Sequence, residues 1–289
     1  MHKFFFISIL VFIFLGSEAV LSAKSKKKPD NVPPKRTQRQ EQQLRKDITV
    51  QPKQVISDRD LRKNVKRMGN GVWISGIPMY DQGSRPECAI AVVRRIQDYY
   101  TKGAPVDMKA LRSALGYRKE FGTNVGVMVK AIQQYSSRLR LRFQQVYDLR
   151  LSEGDLSDYN RHTKNKKSRG NFNPNSFDWA EFYKNLEFEP WRDMLIRNHR
   201  QEQHESWKAI TRYIDQGIPL VWGVYLGLVK EQQRRQSAGG HLRMIIGYSA
   251  ARQRIYYSDS WGNGHEKKEM DWDTAWAITT HIFVLTPMN

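Results

Sequence analysis

The chain changes character at Gly217, and that change constrains its fold more than any other feature. Upstream, apolar residues recur at helical spacing. From Cys88 they fall at Ile90, Val92, Val93, Ile96 and Tyr99–Tyr100, and the helix they predict ends at Gly103 and Pro105. The stretches "VDMKALRSAL", "NVGVMVKAIQQYS" with its Asn cap, "SFDWAEFYKNL" and "EQHESWKAITRYIDQG" read the same way. Downstream, "PLVWGVYLGLV", "HLRMIIGYSA", "QRIYYSDSW" and "HIFVLTP" are β-type runs with turn residues between them. Helices first and strands later, without regular βαβ alternation, predict an α+β fold in which a helical half packs on an antiparallel sheet.

Two segments depart from this division. "LRLRFQQVYDL" alternates apolar with polar residues and predicts a strand inside the helical half. Val72, Ile74 and Ile77 predict a short extended segment at the start of the folded part, broken by Pro78 and Gly83. Residues 152–175 are polar and Gly/Asn-rich and read as a loop or insertion, either a lid or inert.

Three domains are expected. Residues 1–23 have a short basic start, an apolar run of about a dozen residues and small residues near Ala19 and Ala23, which fits a secretory signal peptide. Secretion, to the periplasm, the cell surface or beyond, is the localisation that follows. Residues 24–70 are basic and rich in Pro and Gln, and read as a disordered tail or a pro-segment that covers the cleft until removed. They supply about ten of the net +19 charges, so much of the charge lies outside the expected folded domain at 71–289. The tail could bind an anionic cell-surface polymer or serve as a solvated spacer. No nucleic-acid motif accompanies the charge, and no specific nucleic acid is expected.

Cys88 is the only cysteine, so the fold has no internal disulfide and rests on core burial. A lone thiol in a chain with a secretory leader is an intermolecular partner, an inert buried group or a reactive one. Cys88 sits where the helical pattern begins, and the first turn of a helix supplies free N–H groups and partial positive charge. A thiol nucleophile needs a base, and His241 is the candidate: it opens a strand directly after "AGG", where backbone can approach closely. His162, His199 and His204 lie in polar stretches expected to be exposed. The base needs an orienter. "HLRMIIGYSAARQRIYYSDSW" reads as a hairpin that returns Asp259 to the open end where His241 starts. An oxyanion needs donors, and the Cys88 N–H and the Gln82 amide are suited to the task.

"QGSRPEC" and "DSWG" resemble the papain-like cysteine peptidases, in which a Gln stands six positions before the catalytic Cys and a His and an Asn or Asp follow in that chain order. "IPMYDQGSRPECAIAVVRRIQDYY" with "HLRMIIGYSAARQRIYYSDSWG" is more similar still to peptidase-like domains related to the double-glycine leader peptidases that process bacteriocins. The resemblance spans roughly residues 72–287. It implies a papain-like fold with Gln82 as oxyanion donor, Cys88 as nucleophile, His241 as base, Asp259 as orienter and Trp261 shielding the His–Asp bond. It also implies a peptide or protein substrate and no cofactor. The departures are Arg85 where papain-like enzymes carry a second Cys, and Pro86-Glu87 where they carry Gly-Ser. Glu87 could raise the thiol pKa or point to solvent. The leader peptidases are fused to a transporter with an ATPase, which this sequence lacks, so bacteriocin processing is not implied.

Other chemistries fit less well. The Gly-rich stretches lack phosphate-loop or dinucleotide spacing, and His and acidic residues are too scattered for a metal site. Asp271 and Asp273 read as caps of a short helix, Arg94 and Arg95 as the polar face of the Cys88 helix, and the Trp residues Trp73, Trp179, Trp191, Trp207 and Trp222 as core or cleft wall. Besides a peptidase, the same triad would serve a cell-wall amidase or an acyl transferase, and a non-catalytic surface-binding module could share the fold.

Overall fold

A computed structural model describes residues 35–51, 55–101, 106–120, 122–169, 179–231 and 238–288. The leader at 1–23, the start of the basic segment and the end of the 152–175 stretch lie outside the described residues. Among the described residues, no helix is long and apolar enough to cross a membrane.

The α+β expectation holds. The helical half contains α3 (Cys88–Tyr100), α4 (Met108–Ala114), α5 (Val125–Gln134) and the short α6 (Ser136–Leu139). The strand expected at "LRLRFQQVYDL" is β3 (Leu141–Asp148). Asn124 caps α5 as its sequence predicts, its side chain accepting from the Val127 N–H. After α10 (Arg200–Asp215) the chain turns at Gly217 into β4 (Leu220–Leu226), β5 (Gly239–Ser249), β6 (Arg254–Ser258), β7 (Lys268–Asp271) and β8 (Thr279–Pro287), with α11 (Trp272–Ile278) capped by Asp271 before β8.

These strands join two early ones, β1 (Val65–Met68) and β2 (Gly71–Ile74), in one antiparallel sheet ordered β1-β2-β5-β4-β8-β3, with β6 and β7 continuing from β5. β5 is the hub: its first half pairs with β4, its last residues with β2, and its other edge with β6. A register shift between Ile245 and Gly247 lets it change partners. Gly247 has to be glycine there, because a Cβ would sit 2.5 Å from the Val72 carbonyl oxygen and 2.6 Å from Trp73. Helix α3 lies against β5, burying Ile90, Val93 and Ile96 in the core that joins the two halves.

Two expectations are corrected. The segment before residue 71 is not a disordered tail where it is described. Thr37 and Gln40 form a reciprocal capping box that starts α1 (Gln38–Asp47), Ser57 caps α2 (Asp58–Lys63), and β1 forms the sheet edge. Leu44, Ile48, Val50, Ile56 and Leu61 are all core residues. Each short element contributes one or two buried apolar side chains, too few to stand out as a periodic pattern. Likewise, most of 152–175 is not a loop: Ser152 and Asp155 form a capping box for α7 (Glu153–His162), and a 3-10 turn follows at Lys166–Ser168. Beyond α8 (Trp179–Asn185), α9 (Phe188–Asn198) carries Pro190 within its first turn, where a missing N–H costs nothing.

Candidate active site

The helix of Cys88 begins without a side-chain cap. Glu87 is the N-cap residue, but its carboxylate turns away and is held by Arg112 Nε (3.1 Å) and Nη2 (3.0 Å) and by the Tyr80 hydroxyl (3.1 Å). Burial pushes the Glu87 carboxyl up, but Arg112 and Tyr80 outweigh it and the group stays below the usual carboxylate range. Glu87 therefore neither points to solvent nor competes for the first N–H groups of α3, which frame the buried Cys88 thiol.

Across from α3 the β5–β6 hairpin forms as its sequence predicts, with a register shift between Ile245 and Gly247 that sets Met244 opposite Ser258. Continuing that register past the strand end places Asp259 opposite Arg243, and its carboxylate reaches His241 two residues along the same face of β5. The imidazole Nε2 stands 3.1 Å from Asp259 Oδ1, and the buried Cys88 thiol is a neighbour of the same ring that helps to raise its pKa. Trp261 stacks on His241 with ring centroids 4.5 Å apart and planes 10° off parallel, and its indole in turn meets His265 edge-on. The ring is thus held by its bond to Asp259 and covered on one face by indole. Burial alone would lower the His241 pKa; the Asp259 and Cys88 contacts more than reverse this and lift it to about 9.

Gln82 is fastened to the same hairpin end. Its backbone N–H donates to the Ser260 carbonyl (2.9 Å), and the Ser260 hydroxyl donates to Gln82 Oε1 (2.6 Å). Its Nε2 donates to the Arg85 carbonyl (2.9 Å) and keeps a second hydrogen for another acceptor. Gly262, at φ +79°, lets the chain turn tightly under this loop: a Cβ there would lie 2.9 Å from an Asp81 carboxylate oxygen. The four sequence candidates therefore converge: Asp259 bonds His241, Cys88 acts on the same ring, and Gln82 is pinned to the residue after Asp259.

The family described as Peptidase_C39 like family matches residues 74–282, well over half of the chain. The chain belongs to the Peptidase_C39 like family. It is accordingly a cysteine-type peptidase of papain-like fold acting on a peptide or protein substrate. Two solved structures resemble this member of the family at low identity. A putative C39-like peptidase from Bacillus anthracis is 11% identical with a TM-score of 0.41, over 76% of this chain and 98% of that one. Xylellain, a cysteine protease from Xylella fastidiosa, is 12% identical with a TM-score of 0.39, over 83% of this chain and 94% of that one. No curated protein matches.

This Peptidase_C39 like chain adds side chains that its sequence did not single out as site residues. Arg95, expected on the polar face of its helix, is buried. Its Nη1 donates to the Asp259 carbonyl (2.7 Å), its Nη2 to Ser258 Oγ (2.6 Å) and its Nε to the Pro78 carbonyl (2.7 Å), which ties the Cys88 helix to the Asp259 turn. Burial lowers its pKa to about 10. Arg243 is wholly buried on β5, donates from Nε to Asp259 Oδ1 (2.9 Å) and pairs with Glu231. Ser260 sets the orientation of the Gln82 amide. One signal was available for Arg243: at period two it shares a sheet face with His241. For Arg95 there was none, because a helical Arg next to another Arg reads as solvent-facing. His199 also differs from expectation, being buried beside Asp155 rather than exposed. Among the described residues no group of His, Cys, Asp and Glu is arranged to hold a metal.

Proposed function

We propose that this chain is a secreted cysteine peptidase in which Cys88, His241, Asp259 and Gln82 cleave amide bonds through an acyl-enzyme. The observation that carries the reading is the His241 ring held between the Cys88 thiol and Asp259 under the Trp261 indole. With its pKa raised to about 9, His241 is suited to take the thiol proton of Cys88 as the sulfur attacks. The Cys88 sulfur attacks the scissile carbonyl carbon. The carbonyl electrons move onto oxygen, where the Cys88 N–H and the free hydrogen of the Gln82 amide receive them. Collapse breaks the C–N bond, and the imidazolium gives its proton to the leaving amine. His241, now neutral, takes a proton from water, the hydroxide attacks the thioester, and the carboxylic product leaves as Cys88 and His241 return to their starting state.

The apolar leader supports secretion, and the Lys-rich stretch after it supports contact with an anionic surface polymer, which salt would weaken. The test of the mechanism is iodoacetamide alkylation of Cys88 against pH in wild type and His241→Ala, followed by cleavage of a pooled peptide library. Alkylation that stays rapid below neutral pH and is lost in His241→Ala supports the pair. A thiol indifferent to His241 overturns it.

A further inference from the structure

Asp259 occupies a place where a neutral amide would serve as acceptor for the imidazole, and its surroundings are strongly cationic. Oδ1 accepts from His241 Nε2 (3.1 Å) and from Arg243 Nε (2.9 Å) at once. Lys268 Nζ lies 3.7 Å and His265 Nδ1 3.9 Å from Oδ2, and Arg95 holds the backbone carbonyl. Arg243 is itself locked: Nη2 donates to Glu231 Oε2 (3.1 Å), Nη1 is 2.8 Å from Oε1, and the guanidinium lies 4.8 Å from the Tyr257 ring centroid and 5.8 Å from that of Trp222. The Tyr257 hydroxyl donates to the same Glu231 carboxylate (2.7 Å).

A bare buried carboxylate against the imidazole would bind its proton too firmly. A base of that kind gives its proton poorly to a leaving amine and takes one poorly from water near neutral pH. The Asp259–Arg243–Glu231 chain moves net negative charge away from the imidazole. Asp259 and Arg243 cancel, and the remaining charge rests on Glu231, beyond the guanidinium. What His241 meets at Oδ1 is an acceptor fixed in place but largely neutralised. The alternation of β5 makes this possible, since His241 and Arg243 are two residues apart on one strand and share a face.

We propose that Arg243, braced by Glu231, is a positioning residue that holds the Asp259 carboxylate and restrains the proton affinity of His241. The inference rests on the reading of His241 as the base, though its test does not require turnover. Groups facing His241 are Cys88 from α3 and Asp259. Those facing Asp259 are Arg243, Lys268, His265 and Arg95, and Glu266 acts on Arg95. Burial would raise the Asp259 carboxyl, but Arg243 first and then His241 hold it well below the usual range.

The experiment is a ring-nitrogen NMR titration of histidine-labelled full-length protein carrying Cys88→Ser, so that the thiol does not titrate. His241 is assigned by loss of its signal in His241→Ala. Arg243→Gln keeps an amide donor but removes the charge, and the His241 midpoint is expected to rise by about one pH unit or more. Glu231→Gln with Arg243→Gln removes both buried charges, should fold if the single variant does not, and is expected to raise the midpoint as well. Arg243→Lys keeps the charge and is expected to stay within about half a pH unit of the parent. Midpoints that coincide across all folded variants overturn the proposal, as does a fall in Arg243→Gln. Failure of the catalytic reading looks different: alkylation of the wild-type thiol would be indifferent to His241→Ala while these midpoints still separate.

Discussion

Among the described residues, the two closest buried Asp–His pairs are His241–Asp259 and His199–Asp155, and only the first stands at a thiol. His241 and Asp259 lie 3.1 Å apart, and His199 and Asp155 lie 3.4 Å apart. Asp155 lies in the first turn of α7 and closes the capping box with Ser152. It accepts from the Ser152 N–H and hydroxyl (2.7 Å each) and from Asn198 (3.0 Å). Burial would raise its carboxyl, but His199 and Ser152 hold it far below the usual range. Asp259 lacks neutral donors of this kind at its carboxylate and has the Arg243 guanidinium and the Lys268 ammonium beside it. The difference teaches that a His–Asp contact is only scaffolding by itself. Chemistry requires a third group on the other ring nitrogen and a carboxylate whose charge is managed. His199 joins α9 to α7; His241 joins the helical half to the sheet at the point where the two halves meet.

The comparison breaks most easily by removing the thiol or its base. Cys88→Ser and His241→Ala are expected to lower peptide cleavage by at least about a thousandfold, Cys88→Ser with a thermal melt near wild type, and His199→Ala is expected to leave cleavage within about threefold. If His199→Ala is as damaging to cleavage in folded protein, the two pairs are not distinct. Asp259→Asn comes next, with cleavage down by about a hundredfold or more, since the amide can still accept at Oδ1 but Arg243 loses its partner. Asp155→Asn should instead register as stability: a loss of about 1–3 kcal/mol in urea unfolding, with alkylation of Cys88 unchanged. Ser260→Ala should be the mildest, lowering kcat about three- to tenfold with little change in KM, because Gln82 loses one of the three bonds that aim its amide.

The pairs should also differ in how stability follows pH. His241 has its pKa raised from 6.5 to about 9, so the stability it contributes is fully present below about pH 6.5 and is lost as pH rises through 9. The size is on the order of 3 kcal/mol. Asp155 has its pKa lowered, so its contribution is present above the ordinary Asp value of 3.8 and is lost as pH falls below it. Urea unfolding from about pH 2 to pH 10 in wild type, His241→Ala and Asp155→Asn separates the two. An alkaline loss that persists unchanged in His241→Ala would show that the imidazole is not its source.

Much of this site was legible because hairpin arithmetic is local. His241 and Asp259 sit at the open end of one hairpin, and a turn at 250–253 sets their register. The Gln82-to-Cys88 spacing is local as well. Arg243, Glu231 and Arg95 were not legible because their partners come from other strands and the other half of the fold. Buried charge in a sequence looks the same as surface charge until its counter-ion is placed. The order of helices and strands was readable from periodicity, whereas α1, α2 and α7 hid in polar stretches. Their caps, Thr37 with Gln40, Ser57, and Ser152 with Asp155, were the available signal there, and they outperformed hydrophobic pattern.

The segment before residue 71 has a practical consequence for anyone who would trim this protein. The family match begins at residue 74, the last residue of β2. A domain cut to that boundary would lose β1, nearly all of β2 and the apolar side chains of Leu44, Ile48, Val50, Ile56 and Leu61. It would offer a naked β5 edge at Gly247–Tyr248 and a hollow under α3. Such a fragment is a candidate for edge-to-edge association and insolubility. The same geometry argues against maturation by a cut near residue 70, since the released piece would have to be drawn out of the sheet and not merely lifted from a cleft.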